Sequence, residues 1–498
     1  MTRSRNLLPL LITFWAILST TFAHPSCILD ESPRRRLFLL SDIANEPDDA
    51  QSLVRLLVYA NEFQIEGLVA TTSWWLNDTT YPDQMRDIVS GYAKSVRNLR
   101  KHASGWPEPD HLLSLVKSGS THYGMNGVGE NQNSEGSELL VVAVDKSEEP
   151  LWVPIWGGAN TLAQALWYVN ATRSSEKVDE FVARLRVYSI SDQDNSGPWI
   201  RRNWPNLFYI ASVHDFNRYA NAAWGGISGD DYYHFPSEGN KEVISKSWIK
   251  KNIQDVGPLG AQYPDGEFII EGDSPSLLYM IPTGLSDPEH PEWGSWGGRY
   301  GPVAWGEGHF ADSIDTIISD SGSIMMGSQV TIWRWRTAFQ NDFKARMQWS
   351  IKPKFEEANH SPVVTVNGSS SRDILEYVVE PGETIILDAT ASCDPDDDNL
   401  TFKWWQYLEP SSNLNTPKRD VLVLELGATD MPKLSVRIPN AEVVRKPGRG
   451  VHPYADKHLH VILEVSDGNM IAYRRIILTI KGNPTVQELE IGSGHDEL

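Results

Sequence analysis

The 498-residue sequence predicts an α/β domain, with a mostly parallel sheet and flanking helices, followed by an all-β sandwich. Three observations support this prediction. Short apolar runs alternate with helical patterns up to about residue 355, as in parallel sheets. Acidic and amide residues directly follow the first of these runs. From residue 363 onward the helical pattern ends, and clusters of turn residues separate strand-like segments.

The first strand–helix–strand unit begins after three consecutive arginines. Residues 37–40 are continuously apolar, as in a strand that is buried on both faces. Apolar residues recur at helical spacing over 53–60, and residues 65–70 form a second strand-like run. The loop 42–49 therefore lies at the carboxyl end of the first strand, the edge of a parallel sheet where ligands bind.

Three further strand-like segments extend the pattern. Residues 151–156 are followed by a tight turn and a helical stretch over 161–168. Residues 185–190 precede a short acidic segment. Residues 268–270 are predicted to form a strand that opens onto the polar segment 271–275, which begins another helix.

A linker over 354–362 separates the two domains, which we place at 24–355 and 363–481. Six strand-like segments follow the linker: 383–387, 400–407, 421–426, 434–438, 458–465 and 473–480. Their spacing predicts an Ig-like β-sandwich. Residues 394–404 resemble the loop-and-strand signature of PKD and cadherin-like modules, and the acidic loop there suits either Ca²⁺ or a solvated turn.

The composition excludes some partners. The formal net charge of −21 argues against a nucleic-acid partner, because phosphate binding requires an excess of Lys and Arg. The same charge is compatible with cation binding. Beyond the first residues, no segment approaches 18 continuous apolar positions, so we expect no membrane span in the mature chain.

Both ends of the sequence carry features of targeting signals. Residues 1–23 are typical of a signal peptide, since two arginines precede an apolar run over 7–18. Residues 495–498 read HDEL, an address for retrieval to the endoplasmic reticulum. We expect the mature protein in the lumen of the endoplasmic reticulum, with the retrieval receptor as a partner and 482–498 as a flexible tail. Secretion is the alternative.

In the lumen, asparagines can be glycosylated and cysteines can form disulfides. Asn-x-Ser/Thr sequons, which are candidate sites of N-glycosylation, occur at Asn77, Asn170, Asn359, Asn367 and Asn399. Cys27 and Cys393 are the two cysteines, and a disulfide between them is permitted without being assigned by the sequence. Two cysteines exclude a Cys-based zinc site.

The strongest candidate site is the loop 42–49, which reads Asp-Ile-Ala-Asn-Glu-Pro-Asp-Asp. Carboxylates so close together repel one another unless a cation neutralises them. Oxygen ligands without Cys or a nearby His suit Ca²⁺ or Mg²⁺. The dipole of the following helix alone favours Asp48 and Asp49, but not the whole group. The sequence therefore predicts a metal site.

The order of these features resembles the start of a nucleoside hydrolase: a strand, an acidic loop that ends in Asp-Asp, a helix, and a strand that ends in Thr-Thr. The resemblance implies a Ca²⁺ ion held by Asp42, Asp49, the Ala159 carbonyl and Asp342, with Asp312 as second choice for the last ligand.

The same resemblance implies a set of sugar-binding residues, namely Asp48, Asn160, Glu267 and Glu271. This chain has Leu40 where the family has its first Asp, and Ile269 where the family has a sugar-contacting Asn. These differences count against a nucleoside as the substrate.

The chain is still more similar to a branch of secreted bacterial and fungal proteins described as cellulose-binding, which combine a nucleoside-hydrolase-like domain with a C-terminal β-domain. The similar segments are 45–49, 134–140, 156–166, 191–199, 289–293 and 333–335. They span nearly the whole mature chain.

Three functions are therefore considered. The first is a Ca²⁺-dependent hydrolase of glycosyl bonds in a glycan or glycoconjugate. In that reaction a metal-activated water attacks the anomeric carbon, Asp42 acts as general base, and Asp48 and Glu271 bind sugar hydroxyls. The alternatives are a non-catalytic carbohydrate-binding protein and a nucleoside hydrolase.

Other residues are candidates for assisting roles. His290, Asp192 and Asp194 are candidates for the leaving-group acid, and the two aspartates also for sugar contacts; a structural role is the favoured alternative for each. Trp74 and Trp293 lie in predicted loops, where flat aromatic faces stack on sugar rings. Filling the core is the alternative for any single Trp.

Overall fold

A computed structural model describes residues 27, 29, 33–212, 218–304, 306–318, 322–411, 422–440 and 456–481. The predicted signal peptide and the predicted tail with HDEL lie outside these residues. Among the described helices, none is both long and apolar enough to cross a membrane.

The N-terminal domain is built on an eight-stranded sheet with the order β3-β2-β1-β4-β5-β6-β8-β7. β7 pairs antiparallel with β8, and the other pairings are parallel. Its strands are β1 Arg35–Ser41, β2 Phe63–Ala70, β3 Val116–Ser118, β4 Leu151–Ile155, β5 Leu185–Ser189, β6 Phe208–Ala211, β7 Tyr300–Pro302 and β8 His309–Asp312. The predicted α/β class is confirmed.

Helices cover both faces of this sheet. They are α1 Pro47–Val58, α2 Pro82–Leu99, α3 Pro109–Leu115, α4 Glu135–Asp145, α5 Asn160–Thr172, α6 Ser175–Ala183, α7 Ser196–Asn203, α8 Lys246–Ile249, α9 Gly257–Gly260, α10 Ser274–Leu278, α11 Val330–Trp333 and α12 Arg336–Trp349. Leu37 and Leu39 belong to the core on one face of the sheet, with residues of α1, α2, α10 and α12. Phe38 and Leu40 belong to the core on the other face, with residues of α4, α5 and α6. This alternation explains why β1 is continuously apolar.

The direction of winding reverses at β1. The chain continues from β1 to β2 on one side, and β4 later pairs with the other side of β1. In open α/β sheets such a switch point leaves a crevice at the carboxyl ends of the strands, where ligands bind. The acidic loop 42–49 opens at this crevice.

The C-terminal domain is a sandwich of a four-stranded and a three-stranded sheet, ordered β11-β17-β16-β13 and β12-β15-β14. A hairpin of β9 Asp315–Ile318 and β10 Ile324–Gly327 precedes it. The sandwich strands are β11 Leu375–Val378, β12 Thr384–Asp388, β13 Thr401–Tyr407, β14 Glu425–Leu426, β15 Lys433–Arg437, β16 Lys457–Ser466 and β17 Ile471–Ile480. The core between the sheets includes Trp404, Val436 and Leu463. The predicted β-sandwich is confirmed, although β11 was not predicted.

The two domains are joined by polar and covalent contacts. Arg475 of β17 is fully buried and donates to the backbone carbonyls of Leu285 and Gly294, both over 2.8 Å. A disulfide links Cys27 to Cys393. The β-domain therefore braces the loops that precede α11.

Candidate metal centre and active site

The acidic loop places three carboxylates at the carboxyl end of β1. Asp42 directly follows β1, and Asp48 and Asp49 lie in the first turn of α1 behind Pro47. The Ser41 hydroxyl donates to Asp49 Oδ1 over 2.6 Å. Ala44 has a φ of 81°, a strained conformation for a residue with a side chain. The loop is thus folded to bring Asp42 back toward the helix start.

A fourth carboxylate completes the cluster. Asp273 precedes α10, and carboxylate oxygens of Asp48, Asp49 and Asp273 all lie within 4.8 Å of one another. Asp273 Oδ2 is buried and has no hydrogen-bond partner among the described residues. Asp273 was not among the predicted site residues, although the polar segment 271–275 that contains it was predicted to begin a helix. We call Asp42, Asp48, Asp49 and Asp273 the carboxylate cluster.

Two glycines make room for this cluster. A Cβ atom on Gly157, in the turn after β4, would lie 2.7 Å from Asp42 Cβ. A Cβ atom on Gly272 would lie 2.6 Å from Asp48 Oδ2. Real contacts of a Cβ atom are essentially never below 3.0 Å, so both backbone segments approach the carboxylates as only glycine allows.

Burial is the main reason why the pKa values of the four carboxyl groups are raised. It raises the pKa of Asp42 to about 6 and that of Asp48 to about 7. The pKa values of Asp49 and Asp273 are raised well above the usual range by burial and by the neighbouring carboxylates. Without a cation, Asp49 and Asp273 therefore hold their protons to a higher pH than an ordinary aspartate does.

The cluster differs from several other buried acids of the described domain, which pair with arginine. Asp230 accepts from Arg336 over 2.6 Å, and Asp315 accepts from Arg299 over 2.7 Å. No Lys, Arg or His forms a salt bridge with the carboxylate cluster in the part of the chain that the structure describes. A bound cation would supply the missing positive charge.

Two predicted metal ligands lie elsewhere or point away. Asp342 accepts from Arg346 over 3.0 Å and from the hydroxyl of Tyr59, which follows the last residue of α1. It is thus at the opposite end of α1 from Asp49 and does not join the cluster. The Ala159 carbonyl accepts the first backbone bond of α5 from Ala163 over 2.9 Å, so it is directed along that helix. The placement of Asp342 corrects the expectation for that residue, whereas the Ala159 carbonyl keeps a second lone pair and its role as a ligand stays a prediction.

Asp312, the second choice for the last ligand, also lies apart from the cluster. It ends β8 and accepts from the Ser212 hydroxyl over 2.8 Å and from the Ala223 backbone N–H over 3.1 Å.

Two predicted sugar-binding acids are engaged by arginines. Glu271 accepts two bonds of 2.6 Å from Arg55, and both side chains are fully buried. Asp192 accepts 2.9 Å and 2.6 Å bonds from Arg201. Both carboxylates are therefore occupied by ion pairs. Residues 268–270, predicted as a strand, form irregular backbone that leads into Glu271, whose φ is 56°.

Asn160 and Asp194 do lie at the edge of the crevice. Asn160 Nδ2 donates to Thr72 Oγ1 and to the His122 carbonyl, both over 2.9 Å. Asp194 lies against Gly158, the neighbour of the glycine that faces Asp42, and burial raises its pKa. Asn160 Oδ1 and Asp194 Oδ2 are buried without partners among the described residues.

The remaining predicted residues divide between the crevice and the domain interface. Glu267 is exposed. Burial is the main cause of the raised pKa of half-buried Glu46, and the charge of Glu267 raises it further. Trp74 follows β2 and is 48% exposed. Trp293 stacks on His290 at 3.9 Å and contacts His460 of the β-domain, so neither Trp293 nor His290 lies in the crevice.

A row of contacting aromatic side chains lies beside the carboxylate cluster, and we call this row the aromatic arc. Successive ring centroids from Tyr219 onward lie 5.0–5.9 Å apart. Its members are Trp75, Tyr219, Trp224, Tyr233, Tyr232 and Phe268. Burial raises the pKa of Tyr233, and the charges of Asp48 and Glu46 raise it further, which shows the proximity of arc and cluster. Exposed aromatic faces beside buried acids suit a carbohydrate ligand.

Comparisons with known proteins agree with this architecture. Residues 36–300 match the family described as "Cellulose-binding Sde182, nucleoside hydrolase-like domain". Residues 384–480 match "Cellulose-binding protein Sde0182, C-terminal domain". No curated protein is significantly similar to the chain.

Two solved structures resemble this chain to different degrees. One is a nucleoside hydrolase-related hypothetical protein from Saccharophagus degradans, described as associated with carbohydrate metabolism. It is 33% identical, with 90% of this chain and 100% of that chain covered and a TM-score of 0.72. The effector protein XOO4466 is 12% identical over 64% of this chain and 93% of its own, and its TM-score of 0.29 supports no argument. This chain therefore belongs to the cellulose-binding Sde182 family, whose members carry a nucleoside hydrolase-like domain.

Proposed function

We propose that this protein is a Ca²⁺-dependent hydrolase of glycosyl bonds in a glycan or glycoconjugate. The observation that carries the proposal is the carboxylate cluster, which lies at the switch point of the sheet with no cationic side chain bound to it among the described residues. The description of the family as cellulose-binding supports a carbohydrate as the ligand.

The donor set fits Ca²⁺. Asp48, Asp49 and Asp273 offer carboxylate oxygens within 4.8 Å of one another, and Ca²⁺ prefers several oxygen ligands of this kind. Asp273 Oδ2 is a buried acceptor without a partner among the described residues. When bound, the ion would neutralise the cluster and lower the pKa of a coordinated water.

The residues of this chain supply the other functions. Asp42 is the proposed general base: it lies in the cluster, where the Ser73 hydroxyl and Asp49 hydrogen-bond to it, and it would take the proton of a water bound to the ion. Half-buried Asp48 is placed to accept a bond from a sugar hydroxyl. Asp194 is the remaining candidate for the leaving-group acid, because Asp192 is bound by Arg201 and His290 lies at the domain interface.

A non-catalytic carbohydrate-binding protein is the second candidate. The exposed members of the aromatic arc favour it, because stacking on Trp75, Tyr232 and Phe268 would bind sugar without any chemistry. The two candidates predict different results with the same ligands.

The deciding experiment measures hydrolysis directly. Purified protein is incubated with β-linked glucans, aryl glycosides and nucleosides, in Ca²⁺ or in EDTA, and released sugar is quantified. We expect Ca²⁺-dependent release from a glycan that falls about 100-fold or more in Asp42→Asn, because the general base is lost. Glycan binding without release under any condition would instead favour the binding protein.

A further inference from the structure

A cavity of about 340 Å³ lies between the loops that follow β2 and β3. Its volume is near the lower end of the ~300–1,000 Å³ typical of small-molecule sites. Two aromatic rings and several polar groups line it: Trp74, Asn77, Asp78, Thr121, His122, Tyr123 and Asn126.

The aromatic wall of the cavity is held in place by the backbone. The Ser73 hydroxyl accepts from the N–H groups of Trp75 and Leu76, both over 3.1 Å, which closes a tight turn around Trp74. The Trp74 N–H donates to the Gln193 carbonyl over 2.7 Å, and its ring meets the edge of Tyr123 at 6.0 Å. About half of the Trp74 surface remains exposed.

The cavity and the cluster share their supports. Ser73, which shapes the turn around Trp74, also hydrogen-bonds to Asp42. Asn160 joins Thr72 at the end of β2 to the carbonyl of His122 in the cavity wall. The cavity is therefore a fixed neighbour of Asp42.

We propose that this cavity is a saccharide subsite, which holds one ring of an extended glycan while the adjoining ring lies at Asp42. The inference rests on the proposed function and specifies its substrate class as an oligosaccharide or polysaccharide, whose adjoining rings would fill both places. The face of Trp74 would stack on the apolar face of a sugar ring. Asn77, Asp78 and Asn126 offer the paired donors and acceptors that neighbouring hydroxyl groups require.

One feature of the cavity affects the design of the test. Asn77-Asp78-Thr79 is an N-glycosylation sequon, and a glycan attached to Asn77 would occupy the cavity. Thr79→Ala removes the sequon without changing a residue that lines the cavity. The full chain with Thr79→Ala is therefore the reference protein.

Calorimetry in Ca²⁺ measures binding of β-1,4-linked oligomers of glucose, N-acetylglucosamine and mannose, from one to six units, with nucleosides included. We expect the affinity for one of these series to rise with chain length. Trp74→Ala should lower the affinity for its longer members about tenfold and leave monosaccharide and Ca²⁺ affinities unchanged. Trp74→Phe should retain most of the affinity. Tyr168→Ala, an exposed aromatic residue of α5 outside the cavity, should have no effect.

Three results would overturn the subsite: no oligomer binds, affinity does not rise with length, or Trp74→Ala binds as the reference does. Loss of nucleoside affinity in Trp74→Ala would assign the cavity to a base instead. Length-dependent binding through Trp74 without any Ca²⁺ binding would retain the subsite and refute the proposed hydrolase.

Discussion

Arg55 and Glu271 form a fully buried, bidentate ion pair with two bonds of 2.6 Å. Arg55 belongs to α1, the helix that begins with Asp48 and Asp49. Glu271 lies two residues before Asp273. The pair therefore fixes the segment that carries Asp273 against the helix that carries the other carboxylates, and it sets the geometry of the cluster.

Breaking this pair should be costly. Arg55→Ala leaves Glu271 buried without its counter-ion, and we expect a loss of about 3–5 kcal/mol in the free energy of unfolding, measured by chemical denaturation. Lys177→Ala is the control: it removes an exposed pair with Glu180, which should contribute less than about 1 kcal/mol. Similar losses in the two variants would contradict a positioning role for Arg55.

The stability of the cation-free protein should fall with rising pH. Burial raises the pKa of Asp42 to about 6 and of Asp48 to about 7, from an ordinary value of 3.8. A carboxyl with a raised folded-state pKa contributes stability below its unfolded pKa and loses it as the pH rises through the folded value. Melting in EDTA should therefore occur at lower temperature at pH 8 than at pH 5. Ca²⁺ should raise the melting temperature more at pH 8.

Asp48→Asn provides the matched control for this dependence. The variant removes one of the mutually repelling charges of the cluster, so in EDTA at pH 8 it should melt at a higher temperature than the wild type and respond less to Ca²⁺. A Ca²⁺ response of the same size at pH 5 and pH 8 would show that these carboxylates do not bind the ion.

The glycine beside Asp48 should be required for cation binding. Gly272→Ala would place a Cβ atom 2.6 Å from Asp48 Oδ2 and displace that carboxylate. We expect Ca²⁺ affinity to fall about tenfold or more, as for changes that disturb the supports of metal ligands. At Gly225 the nearest atom to an added Cβ would be 3.5 Å away, so Gly225→Ala should bind normally. Unchanged affinity in Gly272→Ala would place the ion elsewhere.

The disulfide should stabilise the fold without affecting the cluster. Cys27 and Cys393 are 366 positions apart, so the bond closes a long loop of the unfolded chain. Replacing both by serine should lower the free energy of unfolding by about 2–4 kcal/mol. Calorimetry should show unchanged Ca²⁺ affinity. A matching loss of Ca²⁺ binding would imply that the bond supports the cluster.

Much of the fold could be predicted because local patterns determine it. The continuous apolar run at 37–40 indicated a strand buried on both faces, and both faces of β1 are covered by helices. The acidic loop 42–49 could be placed at the carboxyl edge, since a strand precedes it and a helix follows. By contrast, the half-exposed strand β11 carries a weak apolar pattern and was not predicted.

The rest of the site depends on distant contacts that a sequence does not display. Glu271 matched a sugar-binding position, but its partner Arg55 is 216 residues away. Asp342 matched a metal-binding position, but Tyr59 and Arg346 hold it at the far end of α1. Asp273 lay within a recognised segment, and only the tertiary fold brings it to Asp49.

The most direct test of the metal centre is calorimetric titration of Ca²⁺ into the metal-free protein at fixed pH and salt, with Asp49→Asn and Asp342→Asn compared. The account predicts a saturable site in the wild type that is lost in Asp49→Asn and kept in Asp342→Asn, because only Asp49 belongs to the cluster. No binding in the wild type, or equal loss in the two variants, would contradict it.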